Sequence, residues 1–157
     1  MDNGADPQAG DTQNIPLPPL LGEVKELAID ELHGHLQEEG FEKIRQGHGC
    51  VFRFIDVEGS RLTDLAERSH LTKQAVGEVV TDLERMGYVE RVPDTADGRA
   101  KIIRLTSPGI EAQRAAVRIF GEIEARWAER YGEERIALLR ELLEEIVAVE
   151  RAPAVPA

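Results

Sequence analysis

Two groups of residues in this 157-residue chain have chemistry that packing does not use up. In "LTKQAVGEVVTDLERMG" the apolar positions Val76, Val79, Val80, Leu83 and Met86 recur at helical spacing, and Gln74, Glu78, Thr81 and Arg85 centre on the opposite face. Lys73 and Gly77 lie beside them. In "VPDTADGRAKIIRLT" two short strands enclose a tip carrying Asp97, Gly98 and Arg99, with Lys101 just beyond. Amides, hydroxyls and cations in this pattern make hydrogen bonds and attract anions. They do not make or break covalent bonds.

The residues that would do covalent or metal chemistry are not arranged for it. There is no glycine-rich phosphate loop with a lysine, no serine–histidine–acid order and no metal-ligand motif. Cys50 is alone, beside Val51 and Phe52; this context suits a buried, inert thiol better than a sensor of oxidants. His33 and His35 are two residues apart, on different faces of a helix, so they do not form a metal pair. The expectation is no enzyme, no metal and no cofactor.

The overall balance places limits on a partner. Apolar residues make up 41% and charged residues 31%, as in an ordinary globular chain, and the formal net charge is −11. No apolar run approaches the ~18 residues needed to cross a bilayer. The opening "MDNGADPQAGDTQNIPLPP" lacks the basic and apolar regions of a signal peptide, and a single cysteine fits a reducing cytoplasm. A cytoplasmic location without membrane contact is expected. Net charge of this sign repels phosphate, but its distribution is uneven. From Arg61 to Arg104 there are eight basic and eight acidic residues, so the whole −11 lies outside that stretch. An anionic partner would be met there.

The elements that must position these groups emerge from periodicity. Residues 1–16 are polar and proline-containing, and they predict a disordered tail, as do residues 151–157. Pro18 and Pro19 open a helix with an apolar stripe through Leu20, Leu21, Val24, Leu27, Ala28, Leu32 and Leu36, which Gly40 ends. Gly47 and Gly49 frame the next break. "CVFRFIDVEG" fits a buried strand or a short helix, and the helical character of the adjoining segment favours the helix. A helix around Leu62, Leu65 and Ala66, a turn at Ser69-His70-Leu71 and a second helix capped by Thr72 come next. Strands "YVERV" and "KIIRLT" flank the tip. Ser107-Pro108 reads as N-cap and first helical residue of a helix of some two dozen residues, with Ile110, Val117, Phe120, Ile123, Trp127 and Tyr131 as its stripe. Gly132 breaks it before a last helix with Ile136, Leu139, Leu142, Leu143, Ile146 and Val147.

Two short helices, a tight turn and a β-hairpin make a winged helix-turn-helix. The second helix fits a major groove about 12 Å wide, and an arginine at the wing tip suits a narrow minor groove. The wording is specific: "LAER", "LTKQAVGEVVTDLERMGYVER", "DGRAKIIRLT" and "LTSPG" resemble the MarR family of bacterial transcription regulators. The motif block is about a third of the chain, and the flanking helices extend the likeness over most of residues 20–150.

The resemblance implies a mainly α fold with a small β-hairpin wing, about six helices in all. Residues 17–150 would form one domain, with the winged module at 61–106 and dimerisation helices at 17–40 and 108–150. It implies a homodimeric repressor that binds a palindromic operator in double-stranded DNA and responds to a small aromatic effector. Carried over by position, Thr72, Lys73, Gln74, Gly77, Glu78 and Thr81 lie on the reading helix. Gln74 suits two-pronged pairing with adenine and Lys73 suits phosphate. Asp97 and Arg99 match the family's wing pair, in which the acid orients the arginine; Lys101 stands beside them, and Arg61 begins the supporting helix within reach of phosphate. Glu78 departs from the family pattern, where a basic residue is common. Leu36, His48, Phe52 and Phe54 are candidates to line a ligand pocket between the dimer body and the reading module, with core packing as the plainer use of the apolar three. Arg85 reads as a surface ion pair with Glu84 or Glu90. The alternative function is a non-catalytic adaptor that reuses a winged helix to bind another protein.

Overall fold

The computed structural model describes residues 14–152; the tails expected at 1–16 and 151–157 fall mostly outside them. Six α-helices and one antiparallel hairpin run in the order α1 (Leu17–Glu38), α2 (Gly49–Phe54), α3 (Leu62–Ser69), α4 (Lys73–Arg85), β1 (Val89–Pro93), β2 (Lys101–Leu105), α5 (Ser107–Tyr131) and α6 (Glu133–Glu150). This is the mainly α winged helix-turn-helix that the sequence predicts.

Helix α1 starts where Pro18 and Pro19 cost no hydrogen bond, and it closes at Gly40, which takes the left-handed φ of 94°. The expected break at Gly47 and Gly49 lies earlier, at residues 39–45. Gly47 sits inside a single 3₁₀ turn, Gln46–His48, and Gly49 is the first residue of α2, so "CVFRF" is indeed helical. A turn of this kind runs straight into an α-helix, and the two glycines do not interrupt it.

Helices α2, α3 and α4 pack with the hairpin around one core: Val51, Ile55, Leu65, Ala66, Val76, Val80, Leu83, Val89 and Ile103. Pairing runs from Val89 opposite Leu105 to Pro93 opposite Lys101. The segment before α3 adds one rung that sequence periodicity does not reveal. Ser60 exchanges both backbone hydrogen bonds with Ile103, at 2.9 and 2.8 Å. Gly59 allows this approach, because a Cβ there would stand 2.4 Å from Ile102 Cγ2.

A second core joins α1 to α5 through Leu32, Leu36, Ala115, Ile119 and Ile123. Here two expectations shift. The N-cap of α5 is Thr106, whose hydroxyl accepts from Gly109 N at 3.3 Å; Ser107 and Pro108 are the first and second helical residues. The buried face of α5 is Ala112, Ala115, Ile119 and Ile123, whereas Ile110, Val117, Phe120 and Tyr131 are exposed. Ala115, Ile119 and Ile123 meet α1, and the exposed large side chains lie off that face. Helix α6 packs on α5 yet buries none of its residues.

Candidate nucleic-acid interface

Thr72 caps α4 by accepting from Ala75 N at 3.1 Å. Val76, Val80 and Leu83 are fully buried beneath the helix, which fixes its rotation. Thr72, Lys73, Gln74 and Glu78 are therefore exposed, with Gly77 half-buried against Leu62. The first turn of α4 presents free N–H groups and the positive end of the helix dipole on that same surface.

Thr81 is engaged within the fold. Its hydroxyl donates to Gly77 O at 2.9 Å and accepts from Arg91 Nη2 at 3.2 Å. Arg91 also pairs with Glu84, so this arginine of β1 grips the outer face of α4. Arg85 pairs with Asp82 at 3.4 Å, one turn back on its own helix, and not with Glu84 or Glu90, which pair with Arg91 and Arg104.

The wing tip is built by its acids. Asp94 Oδ1 accepts from Ala96 N at 2.9 Å, and Asp94 N donates to Ala100 O at 3.0 Å. Asp97 Oδ1 accepts from the backbone N of Arg99 at 3.1 Å. Asp97 thus shapes the chain under Arg99 through the backbone. Arg99 and Lys101 are exposed. Arg61, the N-cap of α3, is turned toward the wing: its Nε and Nη2 donate to Asp94 Oδ2 at 3.1 and 2.5 Å. The Ala96 N–H, and then Arg61, hold the Asp94 carboxyl below its ordinary range.

These pairings sort the cations of the module. Arg61, Arg68, Arg85, Arg91 and Arg104 each stand within salt-bridge distance of an acid. Among the described residues, Lys73, Arg99 and Lys101 are the three basic residues between positions 61 and 104 with no acidic partner. One opens α4 and two lie on the wing.

The candidate pocket positions are distributed over both cores. Leu36 is buried between α1 and α5, while Phe52 and Phe54 pack on the winged core, Phe52 edge-on to Tyr88 with centroids 6.3 Å apart. His48 is buried, and no local pattern marks its partner, 34 residues away. Its Nδ1 accepts from Arg45 N at 2.9 Å, so the neutral ring carries its proton on Nε2, 2.8 Å from Asp82 Oδ2. That bond lowers the pKa of Asp82. His48 and Asp82 border an open cleft of about 410 Å³ with Arg45, Glu78 and Arg85. Cys50 is half-buried and donates to Gly47 O at 3.2 Å; burial pushes its thiol up, away from the reactive thiolate.

Comparison with known proteins agrees with this geometry. Residues 45–100 match the sequence profile of the MarR family. The HTH-type transcriptional regulator FarR of Neisseria gonorrhoeae is 30% identical over 92 residues, which are 57% of this chain and 61% of FarR. The matched region thus spans about three fifths of the length of that relative. Among solved structures, FabT of Streptococcus pneumoniae in complex with DNA aligns with a TM-score of 0.72 at 20% identity, over 84% of this chain and 93% of FabT. CouR from Rhodococcus jostii RHA1 bound to p-coumaroyl-CoA aligns at 0.68 and 21%, over 90% of this chain and 96% of CouR. MepR, a regulator of the Staphylococcus aureus multidrug efflux pump MepA, aligns at 0.65 and 21%, over 86% and 98%.

Proposed function

We propose that this chain, a MarR-family protein by its winged module and fold, is a homodimeric transcription regulator that binds an inverted-repeat operator and represses the adjoining genes. The observation that carries the reading is the sorting of charge. Five cations of the module are spent on internal pairs, and Lys73, Arg99 and Lys101 face solvent at the two places where a winged helix meets DNA. Lys73 lies where the dipole of α4 already favours phosphate, and Gln74 beside it carries the donor and acceptor pair that adenine presents in the major groove. Arg99 and Lys101 serve the minor groove and its flanking phosphates. The DNA complex of FabT, whose fold is similar, supports the same docking.

Dimerisation is supported by apolar side chains that the monomer leaves in water. Leu17, Leu20, Val24 and Leu27 on α1 have a three-four-three spacing, and so do Leu139, Leu142, Ile146 and Val149 on α6; all eight are exposed. Two copies joined by these faces could present their α4 helices one duplex turn, about 34–36 Å, apart. A small aromatic effector that binds a dimer geometry unsuited to DNA would lower affinity by its preference for that geometry. The ligand-bound structure of CouR, alike in fold, supports this part.

The test is a salt titration with duplex DNA from upstream of the chain's own gene. Affinity should fall steeply with salt, and each of Lys73→Ala, Arg99→Ala and Lys101→Ala that removes a phosphate contact should reduce the log–log slope by roughly 0.9. Binding that ignores salt, or no binding at low salt, would sink the reading.

A further inference from the structure

Arg61 invites a simple assignment as a phosphate contact, since it is basic and begins the helix that supports α4. The geometry gives it other work. Its guanidinium is engaged by the wing, where Nε and Nη2 both donate to Asp94 Oδ2. The other oxygen of Asp94 closes the tip by accepting from Ala96 N, and the Asp94 N–H bridges the hairpin to Ala100 O. The Asp94 side chain is 11% exposed, so this carboxylate is largely removed from water with every hydrogen bond made inside the module. Arg61 is in turn fixed at its own backbone: its C=O accepts from Asp64 N and Leu65 N at 3.1 Å, the first bonds of α3. One side chain therefore connects the start of a core helix to one of the two acids that shape the tip, the other being Asp97. Five residues on from Asp94 stands Arg99, with no acidic partner of its own among the described residues.

We propose that Arg61 and Asp94 form a brace that sets where the wing delivers Arg99, and that Arg61 is a positioning residue for DNA binding and not itself a DNA contact. This rests on the DNA-binding reading above. It adds Asp94, an acid near the phosphate backbone, as a residue that binding requires. Electrostatics alone would forecast the reverse: removing a negative charge, and freeing a positive one, should tighten the grip on an anion.

Asp94→Asn separates the two ideas, because asparagine keeps the oxygen that caps Ala96 and loses the charge that holds Arg61. The brace requires Asp94→Asn and Arg61→Ala each to weaken binding to the upstream duplex, by roughly threefold or more, and the double variant to be no worse than either single one. In an Arg99→Ala, Lys101→Ala background Arg61→Ala should cost nothing further, since the wing has nothing left to deliver. Amide hydrogen exchange at residues 95–100 of the free protein should quicken in both single variants. Tighter or unchanged binding by Asp94→Asn overturns the proposal. So does a loss from Arg61→Ala that persists without Arg99 and Lys101, or an unchanged exchange rate at the tip. If the wild-type chain does not bind the duplex, the DNA reading fails and takes the purpose of the brace with it. The exchange rates of the free protein then still decide whether the brace exists.

Discussion

Gly109 occupies a place where only hydrogen fits. The first turn of α5 sits directly on the end of the turn before β1, and a Cβ on Gly109 would lie 2.0 Å from Tyr88 O and 3.2 Å from Leu105 Cδ2. Because the obstacle is backbone, it cannot swing aside. Gly109→Ala should destabilise the fold by about 1–3 kcal/mol or more, measured by urea unfolding, even though alanine is the better helix former. The acids of the module give a second residue-scale prediction. Asp82, through the hydrogen bond from His48, and Asp94, through the Ala96 N–H and then Arg61, have folded pKa values below their ordinary value near 3.8. The unfolded chain then binds more protons than the folded one at acid pH, so stability rises with pH there. Their contribution is complete above the ordinary value and disappears as pH falls through the lowered one. Thermal melts of wild type taken downward from pH 5 should lose stability below about pH 4, and Asp94→Asn should lose less over the same interval.

Helix α4 is where sequence and structure agree most closely, and the reason is that its signals are local. A threonine cap, a three-and-four apolar spacing and a terminal glycine with φ 82° are all written within sixteen residues. Val76, Val80 and Leu83 are the three side chains that aim it, each completely buried. Leu83→Ala should cost about 2–5 kcal/mol, and chemical denaturation should show the loss in the winged core. The exposed positions Lys73, Gln74 and Glu78 were legible as exposed for the same reason. What periodicity does not contain is the pairing across elements. Arg61 with Asp94, His48 with Asp82 and Arg91 with Thr81 join residues 33, 34 and 10 apart, and no local pattern marks them. The single rung at Ser60 is equally silent, since one residue cannot show a strand's alternation. On α5 the stripe read from the sequence divides between two surfaces, with Ile123 buried and Ile110, Val117, Phe120 and Tyr131 exposed. Periodicity weights large apolar side chains, whereas the core with α1 uses Ala115 beside Ile119 and Ile123, and several of the large ones stay exposed.

At the scale of the whole molecule, the exposed apolar faces of α1 and α6 bear on the proposed dimer. An 18-residue helix with no buried residue, α6, and the exposed stripe of α1 leave apolar rows in water, which the proposed dimer would cover. Charge is unevenly distributed as well, for in sequence the whole −11 lies outside the winged module that is proposed to meet phosphate. In a two-fold dimer each interface residue acts twice, once from each copy. Burying one leucine contributes about 1.5–3 kcal/mol, so a charge at such a position should weaken the dimer by roughly twice that, or some two to four decades in its dissociation constant. Leu142→Glu on α6 and Leu20→Glu on α1 should both give monomers in sedimentation velocity at micromolar concentration, with helix content by circular dichroism close to wild type. Binding to the upstream duplex should fall with dimerisation, because a single winged helix reaches one half-site where two share the cost of orientation. Dimers that persist in both variants would place the interface elsewhere, and an intact operator affinity in a monomer would mean that one wing and one reading helix suffice.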